Sequence, residues 1–169
     1  MQAITKNIEW EFTDRKVTAW GGMRLFKEFL DRIEIRKILN ESGLPSPGSN
    51  CGYDPVQVVE SFWVSVWLGG VRFSHTAMVR FDDALKEILG WKRLPCVSTY
   101  TRFFKRFGRE DVDNIFGAIN KWFFEQIPQK TITLDLDSSV LTRYGSQEGS
   151  RIGYNPHKPG RPSHHPIMA

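Results

Sequence analysis

A chain of 169 residues is long enough for one ordinary domain, or two small ones, with a sizeable buried core. Its 40% hydrophobic and 25% charged residues exclude a disordered protein, and no apolar run approaches the ~20 residues that a membrane-spanning helix needs. The formal net charge of +4 favours a polyanionic partner without requiring one.

The cysteines and the N-terminus bear on location. Cys51 and Cys96 are the only cysteines of the chain, and they lie far apart without metal-ligand spacing. Isolated thiols are typical of a reducing compartment, with a single disulfide as the open alternative. The N-terminus lacks a basic segment followed by an apolar one, so no signal peptide is indicated. The sequence therefore predicts a cytoplasmic protein without a membrane partner.

Residues 22–127 carry the signals of an all-helical block that follows an irregular arm. Apolar residues at intervals of three and four predict a helix over 22–41. Asp54 followed by Pro55 is typical of a helix start, because the acid caps the helix and proline suits the first helical position. From there to Leu68 the segment is apolar around most of its circumference, which predicts the central core helix. Three further helices are predicted over 76–89, 99–107 and 110–126, the last with a long apolar stripe facing a core.

The helix pair around Phe81–Phe107 is a candidate DNA-binding element. Ser98 is predicted to cap the second helix, which is expected to expose Tyr100 and several cations beside an apolar face. Cations would contact phosphates, while side chains near the helix start could reach base edges. A solvated basic face on an ordinary helical hairpin is an equally weighted alternative. The candidate DNA contacts are Thr99, Arg102, Lys105 and Arg106.

At Thr131 the apolar pattern changes from the helical period to alternation, which predicts a strand over 131–142. Asp135 and Asp137 would share one face of that strand, with apolar neighbours on the other face. Desolvating two like charges on one face is costly unless a cation compensates them. Spacing alone favours two solvated acids at an exposed face or strand end, because short segments of this kind are common.

A long hairpin rich in glycine and proline is predicted over 143–162, and a second strand begins at 163–169. Lys158, Arg161 and three histidines make this part of the chain cationic, and Lys158 and Arg161 are further candidate DNA contacts. Two of the histidines are adjacent and would point to opposite faces of a strand, which argues against a structural zinc site.

Three motifs near the end of the chain carry a family resemblance. They read Leu134-Asp135-Leu136-Asp137-Ser138-Ser139-Val140, then Tyr144-Gly145-x-Gln147-x-Gly149, then Gly153-Tyr154-Asn155-Pro156-x-Lys158-x-Gly160-Arg161-x-Ser163-x-His165-Pro166. This part of the chain resembles the start of the catalytic domain of DDE transposases, in particular the IS1380 family of bacterial insertion sequences, which is related to the IS4 group. Residues 81–90 and 98–103 resemble the helical region of the same family.

The resemblance implies an α+β protein with two parts. Residues 1–128 would form an all-helical, DNA-binding domain, and residues 129–169 the first strands of an incomplete RNase H-like catalytic domain. In the family, three acids bind two Mg²⁺ or Mn²⁺ ions for DNA strand cleavage and transfer. The first acid corresponds to Asp137, with Asp135 as the fallback, so Asp137 is the expected catalytic residue and metal ligand. Mg²⁺ prefers hard oxygen ligands, and two ions can stabilise both the attacking and the leaving oxygen.

The second Asp and the Glu of the family have no counterpart before Ala169. We therefore expect a transposase fragment, near the nucleoid, that binds the terminal inverted repeats as double-stranded DNA and can self-associate. We expect it to be inactive alone and not to bind Mg²⁺ or Mn²⁺ stably. One alternative is a non-enzymatic DNA-binding protein that occupies transposon ends and inhibits transposition. Another is a decaying remnant that does not fold stably, because truncation would leave strand edges unpaired.

Overall fold

Helices form one part of the chain and short antiparallel strands form the other. The computed structural model describes residues 12–48, 52–126, 131 and 133–168. These residues fall into two compact units, Met1–Gln126 and Ile127–Ala169. The predicted boundary at 128–129 lies outside the described residues, as do Cys51 and Ala169. The mixture of helices and short strands agrees with the predicted α+β class.

The described residues of the first unit form helices joined by short connections. The helices are α1 (Met23–Arg32), α2 (Ile35–Glu41), α3 (Pro55–Trp67), α4 (Thr76–Arg80), α5 (Asp83–Ile88), α6 (Val97–Phe104) and α7 (Arg109–Gln126), with a 3-10 turn at Phe73–His75 before α4. No helix within the described residues combines the length and the apolar character needed to cross a bilayer.

Helix α3 is the central helix that the sequence predicts. The Asp54 side chain accepts a hydrogen bond of 3.2 Å from the backbone N–H of Val56, and Pro55 occupies the first turn. Val58 and Val59 belong to a core cluster that includes residues of α1, α2 and α6. Val64, one turn further on, belongs to a second cluster with residues of α1, α4 and α5. Both hydrophobic clusters of the unit are therefore built on α3.

Two predicted helices are each broken into two, so those predictions are wrong in their continuity. The helix predicted over 22–41 is interrupted at Glu34, whose φ of 52° is left-handed. The helix predicted over 76–89 is interrupted at Asp82, whose carboxylate accepts a 2.8 Å hydrogen bond from the backbone N–H of Leu85 and so caps α5. An Asp side chain that bonds its own backbone locally favours a helix start over a helix interior.

Helix α7 contradicts the prediction of a long core-facing stripe. Ile115 is its only buried residue, whereas Phe116 is 59% exposed and Phe123 is also exposed. The helix packs against α2. Periodicity therefore located the helix correctly, but an apolar stripe is buried only as far as a neighbouring element covers it.

The second unit is an irregular antiparallel arrangement of strands. It contains β1 (Asp137–Ser138), β2 (Leu141–Thr142), β3 (Arg151–Ile152), β4 (Pro162–His164) and β5 (Ile167–Met168). β1 pairs with β5, and β4 lies between β2 and β3. One register continues between residues 137–143 and residues 162–168. The backbone N–H of Ser139 donates to the Pro166 carbonyl (3.1 Å), and the backbone N–H of Arg143 donates to the Pro162 carbonyl (2.8 Å).

The strand predicted over 131–142 is wrong in its length. Residues 133–136 form no strand, and Leu134 and Leu136 are exposed. Asp137 is the first paired residue, opposite Met168, and residues 133–136 have no partner strand within the described part of the chain. A strand needs a neighbour to accept its backbone hydrogen bonds. The second predicted strand is confirmed at β4 and β5, while β3 lies within the hairpin predicted over 143–162.

Candidate functional site

The two candidate acids lie where the ladder of the second unit begins. Asp137 is the first residue of β1 and lies opposite Met168. Its Oδ1 accepts a hydrogen bond of 2.7 Å from the backbone N–H of Ser138, and its side chain is exposed. Asp135 is also exposed and lies outside the strands. An exposed carboxylate at a strand start is chemically able to bind a hard cation from solvent.

His164 forms hydrogen bonds with two separate residues of the predicted hairpin. Its Nδ1 accepts a 2.9 Å hydrogen bond from Nε of Arg143, and its Nε2 lies 2.8 Å from the Glu148 carbonyl oxygen. Because the guanidinium can only donate and the carbonyl can only accept, we assign neutral His164 with its hydrogen on Nε2. The neighbouring His165 forms a separate 3.0 Å hydrogen bond with Ser163. Both histidines thus have hydrogen-bonding roles within the hairpin.

Asn155 forms two hydrogen bonds on the opposite side of the hairpin, a role that was not predicted from the sequence. It is buried, its Nδ2 donates a 2.9 Å hydrogen bond to Oγ1 of Thr142, and its Oδ1 accepts another of 2.9 Å from the backbone N–H of Lys158. The Asn-Pro pair was the available signal, because asparagine commonly bonds its own backbone a few residues on. Asn155 positions the segment that carries Lys158.

The two predicted DNA contacts in the hairpin are exposed cations. Lys158 follows the Asn155 turn, and Arg161 precedes β4. The guanidinium carbon of Arg161 lies 5.5 Å from the ring centroid of Tyr144, a cation–π arrangement. The positions of both cations are given by the sequence, whereas the aromatic partner of Arg161 lies 17 residues away along the chain.

Helix α6 differs from its prediction at its start and at Tyr100. The helix begins at Val97 after Cys96, so Ser98 is not its cap. Tyr100 is 1% exposed, and its hydroxyl lies 2.8 Å from Oγ of Ser61 on α3. Burial raises the pKa of Tyr100 to about 12. The predicted exposure of Tyr100 is therefore wrong, because a hydroxyl on another helix satisfies its polar end and the ring packs in the core.

Helix α6 ends at Phe104, short of the predicted 107, so Lys105 and Arg106 lie just after it. Three of the four predicted contacts, Thr99, Arg102 and Arg106, line one groove of about 380 Å³. Thr99 is half-buried there, while Arg102 and Arg106 are exposed. Nη1 of Arg106 donates a 2.7 Å hydrogen bond to the Ser46 carbonyl, so this guanidinium also holds the loop that follows α2. Lys105 is exposed and is not among the residues that line the groove.

The connector before α6 is part of the core. Trp91, Leu94 and Pro95 are all buried, and the Tyr53 hydroxyl donates a 3.0 Å hydrogen bond to the Leu94 carbonyl. A buried connector holds α6 at a constant position relative to α5. The helix pair therefore presents its cations from a rigid support, although the connector is longer than that of a strict helix-turn-helix.

The sequence of the chain matches one protein family. Residues 2–169 match the family described as Transposase DDE domain group 1. The chain belongs to this family. DDE domains of transposases generally use divalent metal ions, and transposases typically bind DNA. Comparisons with curated proteins and with solved structures produced no match.

The metal chemistry of DDE transposases requires more carboxylates than gather around Asp137. A two-metal centre needs several oxygen ligands that converge on ions about 3.5–4 Å apart. Among the described residues, no three His, Cys, Asp or Glu side chains are grouped so that they could hold an ion. Between Ile127 and Ala169 the sequence has only three acids, Asp135, Asp137 and Glu148. Asp137 fits the role of one oxygen ligand, and the described residues do not make up a two-metal centre.

Cys96 of the transposase chain is isolated from Cys51 in the sequence, but its thiol has two hydroxyl partners in the structure. Its Sγ lies 3.1 Å from Oγ of Ser98 and 3.4 Å from Oγ1 of Thr99, at the start of α6. The hydrogen bond with Ser98, followed by that with Thr99, lowers the pKa of Cys96 to about 6. The thiolate form is therefore favoured at neutral pH.

Proposed function

We propose that this chain supplies the DNA-binding region and the first catalytic strands of an IS1380-type transposase. In this proposal, residues 1–128 bind the terminal inverted repeats as double-stranded DNA, and residues 129–169 begin an RNase H-like catalytic domain. Membership of the DDE transposase family over residues 2–169 supports the proposal. The motifs between Leu134 and Pro166 support the narrower assignment to the IS1380 group.

The arrangement of α6 carries the DNA-binding part of the proposal. Tyr100 and Phe103 seat one side of the helix in the core, while Arg102 on the helix and Lys105 directly after its last residue remain exposed. Cations held on a rigid helix can contact the phosphates of a duplex. Thr99, nearer the start of the helix, is suited to approach base edges, because the first residues of a recognition helix commonly do so.

The test is the salt dependence of binding to a terminal-repeat duplex, measured by fluorescence anisotropy with the full chain. A plot of log K against log salt has a negative slope. Each phosphate contact that is removed should make this slope less steep by roughly 0.9. We expect this loss for Arg102→Ala and for Lys105→Ala. Lys121→Ala is the matched control, because it removes the same charge from an exposed position on α7. Equal losses in all three variants would show that α6 is not the contact and that only net charge matters.

The proposal assigns Asp137 as the first metal-binding acid. Adding Mn²⁺ should broaden the NMR signals of residues next to Asp137, and Asp137→Asn should abolish the broadening while Asp135→Asn retains most of it. The opposite pattern would transfer the role to Asp135. We expect the 169-residue chain alone to bind the duplex without Mg²⁺-dependent cleavage, because this reaction requires several acids to converge on the metals.

A further inference from the structure

The Tyr144–Arg161 pair is not explained by duplex binding through α6. Tyr144 is 64% exposed, and the Arg161 guanidinium lies over its ring. The surrounding hairpin is rich in positive charge, with Arg143, Arg151 and Lys158 against the single acid Glu148. An exposed aromatic face beside a guanidinium plane, in cationic surroundings, is chemically suited to a planar ring attached to a phosphate.

The two residues of this pair are fixed by the strand ladder. They adjoin its last hydrogen bond, in which the backbone N–H of Arg143 donates to the Pro162 carbonyl at 2.8 Å. His164 holds one side of the hairpin through Arg143, and Asn155 holds the other side. A pair positioned before binding loses less conformational entropy when a ligand arrives.

We propose that Tyr144 and Arg161 form a stacking site for an unpaired DNA base. The inference rests on the proposed function in taking DNA as the polyanionic partner. Every base has a π face that stacks on aromatic rings and on guanidinium planes, so such a site tolerates many sequences. Bases inside a duplex are already stacked on their neighbours, so the ligand is a base in a single-stranded tail or one extruded from the duplex. The cations of the hairpin would contact the attached phosphates.

The experiment compares a blunt duplex with the same duplex carrying a short single-stranded tail, by fluorescence anisotropy of the full chain. The tail should strengthen binding. Tyr144→Ala should weaken binding of the tailed DNA by between about 5-fold and 150-fold, the usual value of one stacked base, and leave blunt-duplex binding unchanged. Tyr144→Phe should retain the preference because it retains the ring. Arg161→Lys should lose most of the preference, because lysine keeps the charge without the guanidinium plane.

Tyr154→Ala is the matched control, since Tyr154 is 76% exposed on the same hairpin but lies outside the Tyr144–Arg161 pair. It should leave the preference for the tail unchanged. The inference is overturned if the tail adds no affinity, if Tyr144→Ala weakens both DNAs equally, or if Tyr154→Ala has the effect expected of Tyr144→Ala. If the unmodified chain does not bind the blunt duplex, the proposed function is refuted. In that case, binding of the tailed DNA that depends on Tyr144 would still support the stacking site.

Discussion

The ion pair between Arg36 and Glu60 should be the most costly to break among the described ion pairs of the helical unit, because only this pair has a buried member. Glu60 lies on the central helix α3 with its side chain 6% exposed, and Arg36 on α2 has its side chain 47% exposed. Arg36 Nε donates a 2.8 Å hydrogen bond to one carboxylate oxygen, and Nη2 donates to the other. The hydrogen bond with Glu60 raises the pKa of Arg36. Because this contact is bidentate, removing the guanidinium leaves a buried carboxylate without its partner.

We expect Arg36→Met to lower the free energy of unfolding by about 3 kcal/mol. Breaking a buried pair costs roughly 3–5 kcal/mol, and the lower end applies because water reaches the half-exposed guanidinium. For a unit of this size the melting temperature should fall by roughly 10 °C. Replacing both residues, as Arg36→Met with Glu60→Leu, should recover much of the loss, because no buried charge remains.

Urea unfolding followed by tryptophan fluorescence measures this effect in the helical unit alone, because all six tryptophans lie between Met1 and Gln126. Arg32→Met, which removes an exposed cation at the end of α1, is the control and should change stability little. The reasoning is refuted if Arg36→Met costs no more than Arg32→Met. It is also refuted if the double variant loses as much stability as the two single variants added together.

Three further predictions concern single side chains. Tyr100→Phe should lower the free energy of unfolding by about 1 kcal/mol in the same urea assay, because the hydrogen bond with Ser61 is lost while the ring stays packed; an unchanged midpoint would contradict this bond. Because the folded pKa of Cys96 is lowered to about 6, its alkylation rate, read by peptide mass spectrometry, should be high at pH 7 and fall as the pH drops through about 6. Ser98→Ala should move that midpoint upward, and a midpoint near the ordinary thiol value in the unmodified chain would refute the assignment. Asn155→Ala should speed amide hydrogen exchange at the Lys158 turn, because the turn loses its acceptor; unchanged exchange would show that the turn is held by other contacts.

Local chemistry predicted the parts of the fold and of the site that depend on neighbours along the chain. The start of α3 follows from Asp54 and Pro55, which act within one helical turn. The change of apolar period near Thr131 predicted the passage from helices to strands, and the glycines and prolines beyond it predicted a hairpin. Among the candidate contacts, the exposure of Arg102 and Lys105 agrees with expectation. The metal-binding role of Asp137 stays a prediction.

The remaining features depend on residues that are distant in sequence. Tyr100 is buried because Ser61 of another helix supplies a partner for its hydroxyl, and Arg161 lies over Tyr144 because the ladder brings the two ends of the hairpin together. In the same way, Phe116 is exposed because no described neighbour covers that part of α7. The sequence by itself determined where α3 begins, where the period changes and which residues carry charge, since these properties act over a few residues. Tertiary structure alone decided which aromatic rings are buried and that Arg36 and Arg161 have partners distant in sequence, because these contacts require a surface contributed by another part of the chain.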